Sequence, residues 1–122
     1  MTALHQAAKA GDLTQCQSLI DSGMDVNLYD DIERMPLHYA AEEGHEAVCR
    51  FLVERGAVVD ARNVWQQTPL DVAAYRGHKS VCRFLVAQGA DVHARDRFQK
   101  IPLHYAAING PEEVCQILVE QG

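Results

Sequence analysis

The sequence predicts an all-α repeat solenoid, in which pairs of antiparallel helices stack side by side in one array. Three observations lead to this fold class. Four seven-residue segments align without a gap and begin at residues 2, 35, 68 and 101, a constant step of 33. Two series of glycines, one starting at Gly11 and one at Gly23, keep the same step, and so do the four cysteines from Cys16 onward. A fixed period of this length indicates repeated units that pack on one another.

Within each unit the residue types predict two helices and a loop. A proline stands at the first helical position in three units, at 36, 69 and 102, where a missing N–H is tolerated. In the second unit the apolar residues between Val48 and Val53 recur at helical spacing, and Gly56 suits the left-handed end of that helix. Residues 57–67 show no helical period and fit an extended loop that turns back to the next proline.

This pattern resembles the ankyrin repeat family. The resemblance rests on the period, on the Thr-Pro-Leu-His-like start of each unit and on the Gly-Ala-Asp-Val sequence at 89–92, and it covers essentially all of residues 2–122. It implies stacked antiparallel helix pairs with projecting β-hairpin loops. We expect a single domain over residues 1–122, with repeats at about 2–34, 35–67, 68–100 and 101–122, the last lacking its hairpin.

Two departures from the family pattern affect the loops and the helix starts. The capping threonine is present at Thr2 and Thr68, but positions 35 and 101 hold Met and Ile, which cannot accept the cap hydrogen bond. We therefore expect weaker helix starts at 36 and 102. The turn glycine of the loop tip is also absent, so the family pattern does not fix the shape of the tips; the residues in its place are Glu33, Gln66 and Gln99.

Composition excludes several functional classes. A net charge of −6 argues against a binder of nucleic-acid backbones. The longest apolar runs have four residues, far short of the roughly 20 that a bilayer span needs. The N-terminus lacks the features of a secretory signal, and four cysteines are too few for a disulfide scaffold. We expect a reducing, intracellular location, cytoplasmic or nuclear, with no nucleic-acid partner and no membrane insertion.

The cysteines, and the histidines four residues before two of them, could suggest a metal site or disulfides. These histidines are His45 and His78. No Cys-x-x-Cys pair is present, and the place of His45 and His78 is taken by Pro111 in the fourth unit, so no ligand series is maintained. Equivalent positions on stacked helices lie about 8–10 Å apart, whereas a disulfide needs Cα atoms within about 7 Å. We expect four free, buried thiols, no metal or other cofactor, and histidines that cap the second helices.

A first series of histidines, His5, His38 and His104, lies at the start of the first helices, with Asp71 in the third unit. Catalysis needs a nucleophile and an orienting acid within hydrogen-bond reach, but a repeat places equivalent residues one layer apart. We interpret these side chains as hydrogen-bonded to the backbone of the loops. The sequence therefore predicts no enzyme activity.

Positions that break the repeat are the candidates for partner contact, because framework positions repeat in order to pack. These positions lie at the loop tips, beside them, and on the exposed side of the first helices. The resemblance to ankyrin proteins implies that they form a concave, partner-binding surface. The residues predicted for this concave surface are Tyr29, Asp31, Ile32, Arg34, Glu42, Glu43, Arg62, Val64, Trp65, Gln67, Tyr75, Arg76, Arg95, Arg97, Phe98, Lys100, Ile108 and Asn109.

Bulky apolar residues and uneven charge distinguish this surface. Ile32, Trp65 and Phe98 occupy the same loop position in three units. Each either folds back on its own loop or contributes to an apolar stripe that anchors a partner. Residues 1–61 hold 11 acidic and 4 basic residues, and residues 62–122 hold 6 acidic and 7 basic ones. This asymmetry predicts a surface that orients an oppositely polarised partner.

The two ends of the array are predicted to differ. In the first unit Gln15 and Ser18 take places that are apolar elsewhere, which is typical of a terminal cap. Val114 and Ile117 keep the apolar type in the last unit. We therefore expect that end to expose apolar surface and to fray, self-associate or lack a following repeat.

Taken together, the residues predict a non-catalytic protein–protein interaction module that binds a partner protein or peptide. A small inhibitor that covers another protein's active site would be one form of it. Two alternatives remain open. The chain is either the targeting or regulatory ankyrin portion of a larger enzyme or effector whose activity lies outside it, or an architectural or engineered array without a natural ligand.

Overall fold

The computed structural model describes residues 1–121, which form eight α-helices in four pairs. This architecture confirms the predicted all-α repeat solenoid. The first helices of the pairs are α1 (Ala3–Ala10), α3 (Pro36–Glu42), α5 (Pro69–Arg76) and α7 (Pro102–Asn109). The second helices are α2 (Leu13–Asp21), α4 (Glu46–Glu54), α6 (Lys79–Ala87) and α8 (Glu112–Gln121).

The helices stack in two rows, first helices against first helices and second against second. Each layer contributes the same residue types to a continuous core. Leu4, Leu37 and Leu70 are buried between the rows, while Leu103 in the last layer is only half-buried. Pairs of alanines, such as 40–41 and 73–74, are fully buried and allow neighbouring helices to approach closely. No helix within residues 1–121 is long and apolar enough to cross a bilayer.

The helix starts differ as the sequence predicts. Thr2 and Thr68 each accept a hydrogen bond from the N–H three residues on, both at 3.3 Å, whereas Met35 and Ile101 accept none. In all four repeats the cap residue's own N–H donates to the side chain at the third helical position. The starts at 36 and 102 therefore keep one of the two bonds of a capping box.

Backbone hydrogen bonds close the loops and join them to each other. In each loop one N–H donates to the carbonyl four residues on, as from Asn63 to Gln67 at 3.0 Å. Between loops, Val64 N donates to the Ile32 carbonyl and Arg97 N to the Trp65 carbonyl, both at 3.0 Å. The hairpin loops are too short for a ladder, and no strand is present in the part of the chain that the structure describes.

The loop tips adopt the left-handed backbone conformation that glycine favours, although none of them holds a glycine. Glu33, Gln66 and Gln99 have φ values of 61°, 61° and 62°, in the left-handed region. Side chains with a Cβ adopt this conformation at a cost of about 1–2 kcal/mol each. The tips therefore have the shape that the family pattern requires, at some expense of stability.

The first three thiols are buried as predicted, and the last is not. Cys16, Cys49 and Cys82 are free and completely buried, and burial raises the pKa of Cys49 and of Cys82 to about 12. Cys115 is only half-buried, so the prediction of four buried thiols was wrong for the last repeat. Its position lies on the side of α8 that the next layer would cover in an inner repeat.

The prediction that His45 caps its helix is confirmed in position only. His45 occupies the cap position of α4 but makes no side-chain cap bond. Its Nε2 instead donates to the Lys9 carbonyl of the preceding repeat at 3.0 Å, and its ring lies over Gly11. A Cβ at Gly11 would lie 2.6 Å from the imidazole Nδ1, so only glycine fits beneath the ring. The histidine is an interlayer contact.

The two ends differ, but through other residues than the sequence suggested. Gln15 and Ser18 are exposed, as expected of a cap. Val114 and Ile117 are buried, because these positions face the preceding repeat, which only the first repeat lacks in this structure. The prediction that they are exposed was wrong. Exposed apolar surface on the last repeat comes instead from residues such as Val119, which is 61% exposed.

Candidate partner-binding surface

Exposed apolar side chains concentrate on the predicted concave surface. Eight large apolar residues are exposed in the described part of the chain, and five of them belong to that surface. These five are Tyr29, Trp65, Tyr75, Phe98 and Ile108. Trp65 and Phe98, at 40% and 58% exposure, lie at adjacent loop tips that a backbone hydrogen bond joins. The two aromatics therefore have a fixed relative position.

The other predicted residues divide by exposure. Five more are exposed: Asp31, Arg76, Arg95, Arg97 and Asn109. Seven are half-buried between loop and helix: Ile32, Glu42, Glu43, Arg62, Val64, Gln67 and Lys100. Arg34 alone among the predicted residues is buried.

Arg34 belongs to the framework that shapes the surface. Its Nη1 pairs with Glu42 Oε1 at 3.1 Å, and its guanidinium carbon lies 4.4 Å from the centre of the Tyr39 ring. A charge held against a ring and a carboxylate in this way is fixed in place. We therefore assign Arg34 a positioning role.

Two further arginines brace the loops, and one of them, Arg62, joins its loop to the next. Arg62 Nη1 donates to the Gln66 carbonyl at 3.1 Å and to the Arg95 carbonyl of the next loop at 3.0 Å. Arg95 Nη1 in turn donates to the Gln99 carbonyl at 2.9 Å. These bonds stiffen the tips that carry the exposed aromatics.

A buried tyrosine–aspartate pair occurs at two of the three loop–helix junctions and was missed by the sequence analysis. The Tyr39 hydroxyl donates to Asp30, and the Tyr105 hydroxyl donates to Asp96. Burial, and then this bond, raises the pKa of both tyrosines to about 12. Sequence could have revealed the pair, because both members recur two repeats apart and are replaced together at positions 63 and 72.

The predicted bonds to the loops are confirmed for His5 and His38 and are wrong for His104. His5 Nε2 bonds to the Arg34 carbonyl at 2.8 Å, and His38 Nε2 bonds to the Gln67 carbonyl at 2.9 Å. Burial lowers the pKa of His38 to about 4, so the ring is neutral and Nε2 is the donor. His104, in the last repeat, is exposed and bonds only to its own helix start, the Ile101 N–H at 3.0 Å.

The third repeat departs from this series. Asp71 is 1% exposed, and its Oδ2 accepts a hydrogen bond from Thr68 N at 2.9 Å. Its Oδ1 has no hydrogen-bond partner among residues 1–121. Burial raises the pKa of this carboxyl to about 7.

A family model described as ankyrin repeats (3 copies) matches residues 4–96 and, overlapping, residues 62–122. The chain belongs to the ankyrin repeat family. Two overlapping matches of a three-copy model agree with the four helix pairs of this ankyrin array. No curated protein matches the chain. Ankyrin repeats are in general protein–protein interaction modules.

Charge on the ankyrin array is partly paired across layers. Arg76 Nη2 lies 3.4 Å from Glu43 Oε2, and Lys79 Nζ lies 3.4 Å from Glu113 Oε2, each pair joining two repeats. One of these pairs, Arg76–Glu43, joins a residue of the predicted basic end to one of the predicted acidic end. Asp31 at one end and Arg97 at the other remain exposed. No group of three or more His, Cys, Asp or Glu side chains within residues 1–121 is placed to hold a metal ion.

Proposed function

We propose that this ankyrin array is a non-catalytic module that holds a partner protein or peptide on its concave surface. One observation carries the proposal: exposed aromatic side chains stand at loop tips where the core does not need them. Trp65 and Phe98 supply large contact areas of the type that dominates interface energies. A reducing, intracellular compartment fits its free thiols.

Rigidity of the tips supports this function. Backbone bonds between loops and the guanidinium of Arg62 hold neighbouring tips together before any partner arrives. Binding then requires little ordering of the loops, so more of the contact energy appears as affinity. The exposed charges of Asp31 and Arg97 are expected to orient the partner and to speed encounter more than they strengthen the complex.

The test is capture of a partner from cell extract by the wild type and by a double variant, Trp65→Ala with Phe98→Ala. Truncating a buried aromatic anchor commonly costs about 2 kcal/mol or more, about 30-fold in affinity. We expect capture to drop at least about tenfold. Circular dichroism and urea unfolding should show little change, because both side chains are largely exposed.

The matched control is a double substitution at the C-terminal end of α4, one of the second helices. Glu54 and Arg55 are both exposed, and Arg55 pairs only with Asp21 of the neighbouring helix at 3.0 Å. Replacing both by alanine should leave capture unchanged. A folded tip variant that captures its partner fully would place the interface elsewhere. An unfolded one would place the aromatics in the core.

We also propose that the outer face of the last repeat pairs with a second copy of the chain. Val119 is exposed on α8 and Cys115 beside it is half-buried, whereas the equivalent Cys82 is fully buried. Val119→Glu should therefore shift the sedimentation of a self-associated sample toward monomer. Val58→Glu, on another exposed valine, is the control and should not. A wild type that stays monomeric at high concentration contradicts this proposal.

A further inference from the structure

The middle of the concave surface contains a notch where one tyrosine of a series is missing. Positions 39, 72 and 105 are equivalent, and Val72 stands between Tyr39 and Tyr105. The shorter side chain leaves a cavity of about 210 Å³. We call it the Val72 notch; it is lined by Glu42, Gln67, Asp71, Val72, Tyr75 and Tyr105.

The notch contains a buried acceptor that the fold leaves unused. In the two preceding repeats an imidazole spans to the carbonyl 29 residues on. Asp71 has the same position but a shorter side chain, and it makes no such bond in the described residues. Its Oδ1 is therefore a buried acceptor without a donor, beside a cavity that the same residue lines. Such an atom is costly for the protein alone and favours a ligand that donates hydrogen bonds.

The walls of the notch are aromatic and acidic. The Tyr75 and Tyr105 rings meet edge to face, with centroids 6.2 Å apart. Glu42 supplies a second carboxylate, and none of the six lining residues is basic. Aromatic rings and carboxylates together form the type of environment that attracts a cation with an apolar stem.

The basic side chains around the notch are already engaged. Arg34 pairs with Glu42 at 3.1 Å, and Arg76 pairs with Glu43 at 3.4 Å. Arg62 donates to two loop carbonyls. None of them donates to Asp71 Oδ1, although Arg34 Nε and Nη2 are buried without a hydrogen-bond partner among residues 1–121.

From this arrangement we propose that the Val72 notch receives one basic side chain, arginine or lysine, of the bound partner. The alkyl stem would pack on Val72 and the tyrosine rings, and the charged head would donate to Asp71 Oδ1 and approach Glu42. This proposal rests on the proposed function, since it places the partner on the concave surface. The raised pKa of Asp71 agrees with it, because burial disfavours the carboxylate in an empty notch and a bound cation would favour it.

The experiment is a titration of the chain, labelled at valine methyl groups, with N-acetyl-arginine methylamide, followed by NMR. N-acetyl-citrulline methylamide, which has the same shape without the charge, is the matched probe, and N-acetyl-lysine methylamide tests the second cation. We expect saturable shifts at the Val72 methyls in the millimolar range for both cationic probes. Citrulline should bind at least about fivefold more weakly, because it lacks the charge-assisted bond.

Two variants test the assignment to this notch. Val72→Tyr restores the residue of the neighbouring repeats and should abolish arginine binding by filling the cavity. Asp71→Asn keeps the shape and should weaken arginine binding about tenfold by removing the carboxylate. If Val72→Tyr fails to fold, nuclear Overhauser contacts between the arginine stem and the Tyr75 and Tyr105 rings of the wild type decide the same point.

Equal binding of arginine and citrulline, or arginine binding that survives in folded Val72→Tyr, would overturn the proposal. So would the absence of any saturable shift. The titration needs no partner, so it is separate from the capture experiment with the tip variant. A failed titration with intact capture would remove only the notch, whereas failed capture with an intact titration would remove only the tip interface.

Discussion

The second and third repeats have similar backbones but carry different side chains at two equivalent positions of the first helix. In the second, His38 bonds at both ring nitrogens, and Tyr39 bonds to the loop before it. In the third, Asp71 uses one oxygen only, and Val72 makes no bond with its side chain. The fold tolerates both, because the stacked leucines and alanines carry the core in either case.

This difference teaches where an array of near-identical units can specialise. The loop bonds and the nine-residue second helix are the same in the two repeats, while the first helix has 7 residues in one and 8 in the other. The fold therefore does not depend on the hydrogen bonds of His38 and Tyr39 alone. The third repeat lacks these hydrogen bonds and has a cavity and a buried acidic group in the same place. A departure from the repeat inside the framework is therefore as informative as a departure at the surface.

The largest expected effect is the loss of stability when His38 is replaced, in the repeat with more side-chain hydrogen bonds. His38→Ala removes a buried ring and its bonds to the Met35 N–H and the Gln67 carbonyl, and should lower the free energy of unfolding by roughly 4 kcal/mol. Asp71→Ala should cost about 1 kcal/mol, since it removes one bond together with an unpaired acceptor. Urea unfolding at pH 7.5 measures both. Equal losses would mean that the two positions contribute alike.

The second effect is a pH dependence of opposite sign at the two positions. The pKa of Asp71 is raised to about 7 by burial, with Asp96 adding to the rise and Arg62 opposing it. Its protonated form stabilises the fold, and this contribution is lost as pH rises from about 4 toward 7. The pKa of His38 is lowered to about 4, chiefly by burial, so its contribution is lost as pH falls from 6.5 toward 4.

Asp71→Asn isolates this effect, because every other titrating group is common to the variant and the wild type. Relative to wild type, its free energy of unfolding should rise by roughly 3 kcal/mol between pH 4 and pH 6.5. The control, His38→Asn, should show a difference that falls over the same range. Urea midpoints at several pH values measure both. A flat difference for Asp71→Asn would show that the carboxyl titrates in the fold as it does in the unfolded chain.

The smallest effect is expected where the two repeats are alike. Gln66 and Gln99 have φ values of 61° and 62°, so replacing either by glycine should relieve the same strain. Gln66→Gly should raise the free energy of unfolding by about 1 kcal/mol. Gln88→Gly, at a φ of −85°, is the matched control and should lower it slightly. A thermal melt of each variant is sufficient; destabilisation by Gln66→Gly would contradict the strain.

Most of the fold could be predicted from the sequence, because period and helix signals are local. Prolines, glycines and apolar spacing determine where helices begin, end and face the core. Which neighbouring repeat each apolar helix face packs against could not be predicted. Val114 and Ile117 have the expected apolar type, but only the stacked structure shows that they pack on the preceding repeat. His45 was misread for the same reason, since its partner Lys9 lies 36 residues away.

The candidate site was predicted less completely. Exposure of Trp65, Phe98 and Tyr75 followed from positions that vary between units. Burial of Arg34 did not, because it depends on contacts with Glu42 and a ring in the next helix. Neither did the notch, since a cavity is a property of what is missing beside Val72 and appears only when neighbouring layers are in place.

The glycine beneath each histidine has a consequence for how such a chain can lengthen. Gly11 lies under His45, and Gly44 lies under His78, so each contact takes its glycine from one unit and its ring from the next. The second repeat carries both halves, Gly44 and His45. A tandem copy of residues 35–67 would therefore form the same glycine–histidine contact with the unit before it and with the unit after it. Head-to-tail contacts form an open series unless the rotation between units closes a ring. Internal duplication in whole units can therefore extend the array, while insertion of a partial unit would misplace every later pair.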